Sequence, residues 1–462
     1  MAEALSGAGE FWKADDPDHR VPGSFVAELG EKPEAELGAN LVDDPRVSVS
    51  RDMSSNVTVI SYSAEAKRSV ASFLAITVHG QLDAGVPITL LNAQNHGAAG
   101  AKPHYYGTSA VVGANVFKDR LYSSVRFRMD RPHWLAHLAD GDSGTVEDDG
   151  STLSVEASED GNWLLYESSK PATLRQLEIR VVSGCLALLH LAVYPDPDEG
   201  RVTRDTQVRI DPDSPWLDVY GPAFCAEPAG PVHDPLLPRE ELSIERFSRW
   251  IALHSSLDGL SWVVARPSTG AVQTRVLLLA PLVEGFHRRL PDYEQAKFPG
   301  VAKSVLNRIS KAVGGAAVAQ AASEGLDQKR IRQATAFFRE VSFQERADAI
   351  VAEVVGVIPE VAESVSELPR RIKKARNDLA HHLTKDSDKP IETRALEWLV
   401  IANTAAWVLR ILLLLRVGIE PEVLRKHVLR FSRFDFFRAN TEQHVRELGW
   451  EPPSSSPADG QS

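Results

Sequence analysis

The sequence predicts an α+β multidomain protein: a β-rich, sandwich- or barrel-like front followed by an α-helical bundle. Three observations carry this. The chain has 462 residues, more than one hydrophobic core ordinarily serves. Between residues 40 and 210 short β-branched runs recur with turn signals between them. Beyond Pro238 the apolar period lengthens from two to about 3.6. A hydrophobic fraction of 43% and a charged fraction of 25% exclude a disordered chain, a fibrous protein and a small disulfide scaffold. Cys185 and Cys225 are the only cysteines, so no CxxC metal pair exists and a reducing, cytoplasmic home is expected.

The expected strands are SNVTVISY (55–62), ASFLAITVHG (71–80), VPITLLNA (86–93), SAVVGANVF (109–117), YSSVRFRM (122–129), STLSVEAS (151–158) and GNWLLYES (161–168). A longer run, LRQLEIRVVSGCLALLHLAVY (174–194), reads as a strand pair turning at Ser183-Gly184. The acidic stretch DGDSGTVEDDGS (140–151) reads as a surface loop. A proline-rich passage, Pro222 to Pro238, separates an acidic β-rich domain (1–235) from a helical one (240–450). Helices are expected over 241–257, 273–290, 298–322, 327–340, 343–357, 367–384, 391–417 and 420–430. The fifth opens on the capping box Ser342-Phe-Gln-Glu345. The tail 451–462 (PPSSSPADGQS from Pro452) lacks the apolar content to pack and is expected to be disordered.

The net charge of −12 argues at first against a nucleic-acid partner. Its distribution argues otherwise. Residues 1–238 hold 19 Lys and Arg against 35 Asp and Glu, a net of −16, whereas 239–462 hold 32 against 28, a net of +4. The opening MAEALSGAGEFWKADD has neither the basic nor the apolar region of a signal peptide. The run from Leu396 to Val417 is long enough to span a bilayer, but Arg410 lies inside it and Asn403-Thr404 interrupt it. A buried core helix is expected, with no membrane partner.

The most informative segment is PRRIKKARNDLAHHL (369–383). At about 100° per residue, Ile372, Leu379 and Leu383 define a buried stripe, and Arg370, Lys374, Asn377 and His381 a polar one opposite. Arg376 falls about 40° from Ile372, on the edge of the apolar stripe. A basic run on a helix commonly does no more than solubilise it, with Arg376 in a structural ion pair. The functional reading is an RNA-cleaving site. An imidazole with an unperturbed pKa near 6.5 exchanges protons with a ribose 2′-OH or a leaving oxygen. A guanidinium grips the scissile phosphate bidentately. Arg370, Lys373 and Lys374 would bind RNA, and this chemistry needs no metal and no cofactor.

Arg376-Asn377-Asp378-Leu379-Ala380-His381 resembles the R-x(4–6)-H motif of HEPN-domain ribonucleases, in its R-N-x-x-x-H form. At the front, Gly9-Glu-Phe-Trp through Val21-Pro22-Gly23 resembles the opening of the ApeA N-terminal domain, where an aromatic pair precedes a V-P-G turn. His79-Gly80 with Ile88-Thr89-Leu90-Leu91 resembles its continuation, a glycine loop leading into a strand. The resemblance implies an ApeA-type sensor or regulatory domain followed by a HEPN nuclease of abortive-infection antiphage defence. It implies Arg376 and His381 as catalytic pair, with Asn377 beside them. Arg376 to His382 satisfies the same spacing. It further implies RNA, tRNA included, as substrate and a homodimer or higher homo-oligomer in which two motifs build one site. A phage-derived trigger at the N-terminal domain is also implied. Glu284, on the helix LLLAPLVEGFHRRL, is placed to pair with Arg376 and orient it.

Other readings stay open on the residues alone. The helical domain also suits a non-catalytic adaptor that dimerises or binds RNA or another ligand. A carbohydrate-active front domain would need a carboxylate pair that does not single itself out. His133 and His137 have i,i+4 metal spacing without a third ligand, His96 and His104 read as loop residues, and Trp12, Trp134, Trp163, Trp216, Trp250 and Trp262 read as core or interface.

Overall fold

The computed structural model describes residues 3–42, 47–52, 57–62, 74–96, 102–129, 135–159, 161–193, 204–225, 234–266, 270–331, 340–381 and 389–450. It divides into two compact units, Met1–Ser255 and Ser256–Ser462. His133, Trp134, His382, Leu383, most of the helix expected over 327–340 and the tail lie outside the described residues.

The front unit is a β-barrel with a sheet continuing from it. Its strands are β1 (Leu5–Lys13), β2 (Asp16–Ala27), β3 (Glu34–Leu37), β4 (Val47–Asp52), β5 (Val57–Tyr62), β6 (Ile76–Leu82), β7 (Pro87–Asn95), β8 (His104–Tyr106), β9 (Ser109–Val112), β10 (Leu121–Met129), β11 (Ser143–Thr145), β12 (Thr152–Glu156), β13 (Trp163–Thr173), β14 (Arg204–Arg209) and β15 (Leu217–Tyr220). Antiparallel neighbours β7-β6-β1-β2-β3-β8 form a ring that closes where Gln94 and Asn95 of β7 meet Tyr106 and Tyr105 of β8. Closure gives each of these strands a partner on both sides over part of its length. Phe11, Phe25, Leu37, Val78, Ile88 and Leu90 fill the interior. The other half of β7 pairs with β9, and the sheet runs on through β15, β14, β10, β13 and β12 to β11.

The barrel gives the front motif a physical meaning different from the expected turn. Val21-Pro22-Gly23 lies inside β2, and the chain reverses earlier, at Ala14-Asp15. Gly9 stands directly opposite Gly23. A Cβ at Gly9 would fall 2.3 Å from the Gln81 carbonyl oxygen, and one at Gly23 2.5 Å from that of Glu36. His79-Gly80 is likewise within β6 rather than a loop, and Gly80 makes room for the Phe11 ring. His104 begins β8, its Nε2 3.1 Å from a Glu34 oxygen. Ser143–Thr145 of the supposed acidic loop pairs with β12, and Arg180 clasps Asp148 and Asp149 beside it.

The strand pair expected over 174–194 is instead helical: α1 (Leu174–Leu177), a π-helical stretch Glu178–Val182, then α2 (Ser183–Val193). Thr173 and Gln176 form a reciprocal cap at its start. Gly184 to Val193 are all buried, so the helix is apolar on every side and shows no 3.6 period to a sequence reader. Helix α3 (Ile244–Ser256) belongs with this unit, one helix beyond the proline-rich passage, because buried Trp250 donates its Nε1 proton to the Gly184 carbonyl at 2.6 Å. Trp12 and Trp163 are also buried, whereas Trp216 is half-exposed.

The back unit holds α4 (Ser261–Ala265), α5 (Val272–Arg289), α6 (Lys303–Ser323), α7 (Phe343–Val357), α8 (Leu368–His381), α9 (Ile391–Arg416), α10 (Pro421–Val428) and α11 (Ser432–Glu447). Helix α9 is the core, packed on α5, α7 and α8. It and the Leu174–Val193 helix are the described helices long and apolar enough to cross a membrane, and each is mostly buried inside the protein. Arg410, buried in the last third of α9, donates to the carbonyls of Val264 and Ala265. Helix α11 goes unforeseen in the sequence: exposed Phe436 interrupts the apolar stripe that seats Phe434 and Phe437 on Trp407. Trp262, in α4, is half-exposed.

Candidate active site

Helix α8 buries Leu368, Ile372, Ala375 and Leu379 against α5, α7 and α9. That spacing leaves Arg376 on the rim of the buried stripe, its side chain 35% exposed. Two neighbours hold it. Glu284 of α5 brings Oε2 to 3.7 Å from Nη2, and the guanidinium stands 5.0 Å over the Phe343 ring at the start of α7. At 3.7 Å the Glu284 contact is an ion pair longer than a hydrogen bond. Among the described residues Arg376 makes no side-chain hydrogen bond, so its donor fork is held in place yet open.

Glu284 is itself clamped. Arg288, one turn along α5, donates to its Oε1 at 2.8 Å and 3.1 Å and lies 3.9 Å from Glu340. A chain of alternating charge thus runs Arg376–Glu284–Arg288–Glu340. Phe343 is set by the capping box expected from the sequence: Glu345 N–H donates to Ser342 Oγ at 3.3 Å, and Ser342 N–H to the Glu345 carboxylate at 2.7 Å. That backbone hydrogen bond holds the Glu345 carboxyl below its usual pKa.

The other expected residues are placed as follows. Asn377 is half-buried beside Arg376. Lys373 and Lys374 are exposed, and so is Arg370, which pairs with Glu367 at 3.1 Å. His381 is the last residue of α8, and its side chain is not among those described. The structure therefore brings Arg376 together with Glu284. Arg371, read from sequence as part of the basic run, turns back to stack 3.6 Å from the Trp450 ring and donates to the Ser366 carbonyl. In the front unit, His137 Nε2 contacts the Leu242 carbonyl at 3.1 Å.

Behind the rim lies a polar assembly, built on buried Arg346 and His287, that sequence reasoning missed. Arg346 of α7, 2% exposed, donates to His287 Nδ1, Gln295 Oε1 and the Val341 carbonyl, all at about 3 Å. Because arginine only donates, His287 Nδ1 is the acceptor and its proton resides on Nε2. Burial, then the adjacent Arg346 charge, push the His287 pKa down to about 4. Its ring stacks on Tyr293 at 4.5 Å. The Tyr293 hydroxyl donates to Glu353, which also accepts from Arg416 at 2.7 Å, and Arg416 pairs with Asp292. This assembly locks α5 to α7, the two helices whose Glu284 and Phe343 flank Arg376. The one sequence clue was His287 in the same helical turn as Glu284; nothing local marked Arg346 as its partner.

No curated protein and no solved structure matches the chain. Residues 277–423 match the family model described as Apea-like HEPN. That segment spans Glu284, Phe343, Arg346 and the whole of α8, and HEPN domains include ribonucleases. The chain carries an Apea-like HEPN domain behind its β-rich front unit.

Proposed function

We propose that this protein is a metal-independent endoribonuclease of antiphage defence, cutting cellular RNA, tRNA among it, in abortive infection. The observation that carries the reading is Arg376: an arginine steered by Glu284 and Phe343, with its hydrogen-bond donors uncommitted, on a helix inside the Apea-like HEPN segment. In this reading the Arg376 fork binds two non-bridging oxygens of the scissile phosphate. His381, or His382 at the alternative spacing, takes the proton of the ribose 2′-OH as that oxygen attacks phosphorus. The 5′-oxygen leaves with a proton from water or from the second copy's imidazole, giving a 2′,3′-cyclic phosphate and a 5′-hydroxyl. Asn377 orients the imidazole or the phosphate, and Arg370, Lys373 and Lys374 attract the backbone.

On a helix of about 100° per residue, Arg376 and His381 diverge by about 140°. A second copy closing the site supplies the missing geometry, so the active form is a homodimer or higher homo-oligomer. The front unit is the ApeA-type regulatory domain, where a phage-derived trigger acts. With a net charge of −16 over 1–238, it repels RNA until then.

Purified protein incubated with total RNA, with and without EDTA and with an extract of infected cells, tests the reading on a denaturing gel. Discrete fragments bearing cyclic-phosphate ends, formed in EDTA, are expected. RNA left whole under every condition, but retained by the protein, would make this an RNA-binding adaptor instead.

A further inference from the structure

Helix α6 stands apart from the bundle: of its 21 residues only Ala321 is buried. At about 100° per residue, Val305, Leu306, Ile309, Val313 and Ala316 fall within about 100° of arc, flanked on either side by Lys303 and Arg308, with Lys311 opposite. Ile309 and Val313 remain 42% and 41% exposed. Gly314 and Gly315 interrupt the middle of the helix, each at a cost of about 1 kcal/mol relative to alanine. A helix so weakened needs packing on its apolar face to persist in water. At Gly315 the space a side chain would occupy is open.

The charges say what packs there. All three cations sit in the first half of α6, which holds no acidic residue, and Glu324 and Asp327 follow its end. A parallel copy would set like charges together. An antiparallel copy crossing between Val313 and Gly314 sets Lys303 against Glu324, and does so twice by symmetry. The same register sets exposed Val301 against exposed Leu326, and Ile309 at the level of Val318.

We propose that α6 is a self-docking helix, on which a second copy of this chain packs antiparallel along the Val305/Leu306/Ile309/Val313/Ala316 face. This names the surface for the homodimer invoked above, and it stands on the helix face and charges rather than on any chemistry. It also brings the second copy to the right place. Lys303 and Leu306 line the same surface hollow as Glu340, the last member of the charge chain leading from Arg376.

Light scattering on the intact protein tests it. The native chain should have twice its 50.6 kDa mass, and Ile309→Glu/Val313→Glu, at two exposed side chains, should halve that in a chain that still shows a cooperative thermal transition. Lys303→Glu should loosen the dimer, and adding Glu324→Lys should restore it. A native chain that is monomeric at every concentration overturns the proposal, as does a dimer indifferent to both the apolar and the charge changes. So does binding of a monomeric native chain to anionic vesicles that the Ile309/Val313 variant loses, which would give the face to a membrane. RNA cleavage is scored apart: a dimer that cuts nothing leaves this inference standing and ends the nuclease reading, whereas a cutting monomer ends this inference and the two-copy site but keeps the nuclease.

Discussion

Glu284 serves two arginines at once: Arg288 of its own helix at 2.8 Å and Arg376 of α8 at 3.7 Å. The nearer arginine fixes the carboxylate, and the fixed carboxylate steers the farther one without engaging its donors at hydrogen-bond length. Arg376 is thereby oriented across a helix interface rather than consumed by it. Glu284→Gln keeps the shape and removes the charge. RNA cleavage should fall by less than in Arg376→Ala, while the melting temperature barely moves, since partly exposed ion pairs contribute about 0–1 kcal/mol. Equal losses in the two variants would make Glu284 more than a guide.

Removing a phosphate-stabilising donor or an acid/base group costs about 10²–10⁴ in rate. Arg376→Ala should therefore nearly abolish RNA cleavage and toxicity in a chain that still shows native circular dichroism. His381→Ala and His382→Ala, assayed side by side, should split: one silent, the other close to native. Full activity in folded Arg376→Ala sinks the assignment.

Arg346 has no exposed face on which to be replaced cheaply. Arg346→Met strands the buried His287 Nδ1 acceptor and takes a donor from Gln295 Oε1 and the Val341 carbonyl, and should cost about 1–3 kcal/mol. Urea denaturation should show a lower midpoint with an unchanged slope.

The low His287 pKa makes stability depend on pH in a definite sense. Unfolded, the imidazole titrates near 6.5; folded, only at about 4. Between these values the unfolded chain takes up a proton that the folded chain refuses, so stability is complete above about pH 6.5 and declines towards pH 4. The whole contribution is on the order of 3 kcal/mol. His287→Gln should flatten that limb of the curve in part; buried His254, whose pKa burial also lowers, supplies the same sign from the front unit.

The capping box allows a milder test. Ser342→Ala removes the Oγ that receives the Glu345 N–H, and should destabilise the back unit by about 1 kcal/mol. Because Phe343 is the first residue of α7, loosened packing under Arg376 should also slow cleavage more than the stability loss alone explains.

Local chemistry made much of this protein legible in one dimension. The shift of apolar period near Pro238 separated a β-rich front from a helical back, Ser342 and Glu345 marked the start of α7, and the position of Arg376 about 40° from Ile372 placed it on the rim where it stands. These are properties of a few neighbouring residues, so the sequence contains them. It misled where burial is total: Gly184–Val193 is buried on every side, and without a polar face a helix looks like a strand. It was silent on closure of the barrel, where Gly9, Gly23 and Gly80 answer to backbones and a ring far along the chain. Above all, it could not show that Arg346 hydrogen-bonds His287 across 59 positions, or that the carboxylate aimed at Arg376 is pinned from behind by Arg288. The sequence determined which residues could do chemistry; the tertiary structure decided which of them are held, buried or left open. A pKa or a free donor depends on what surrounds a group in space, and that is set only when the helices pack.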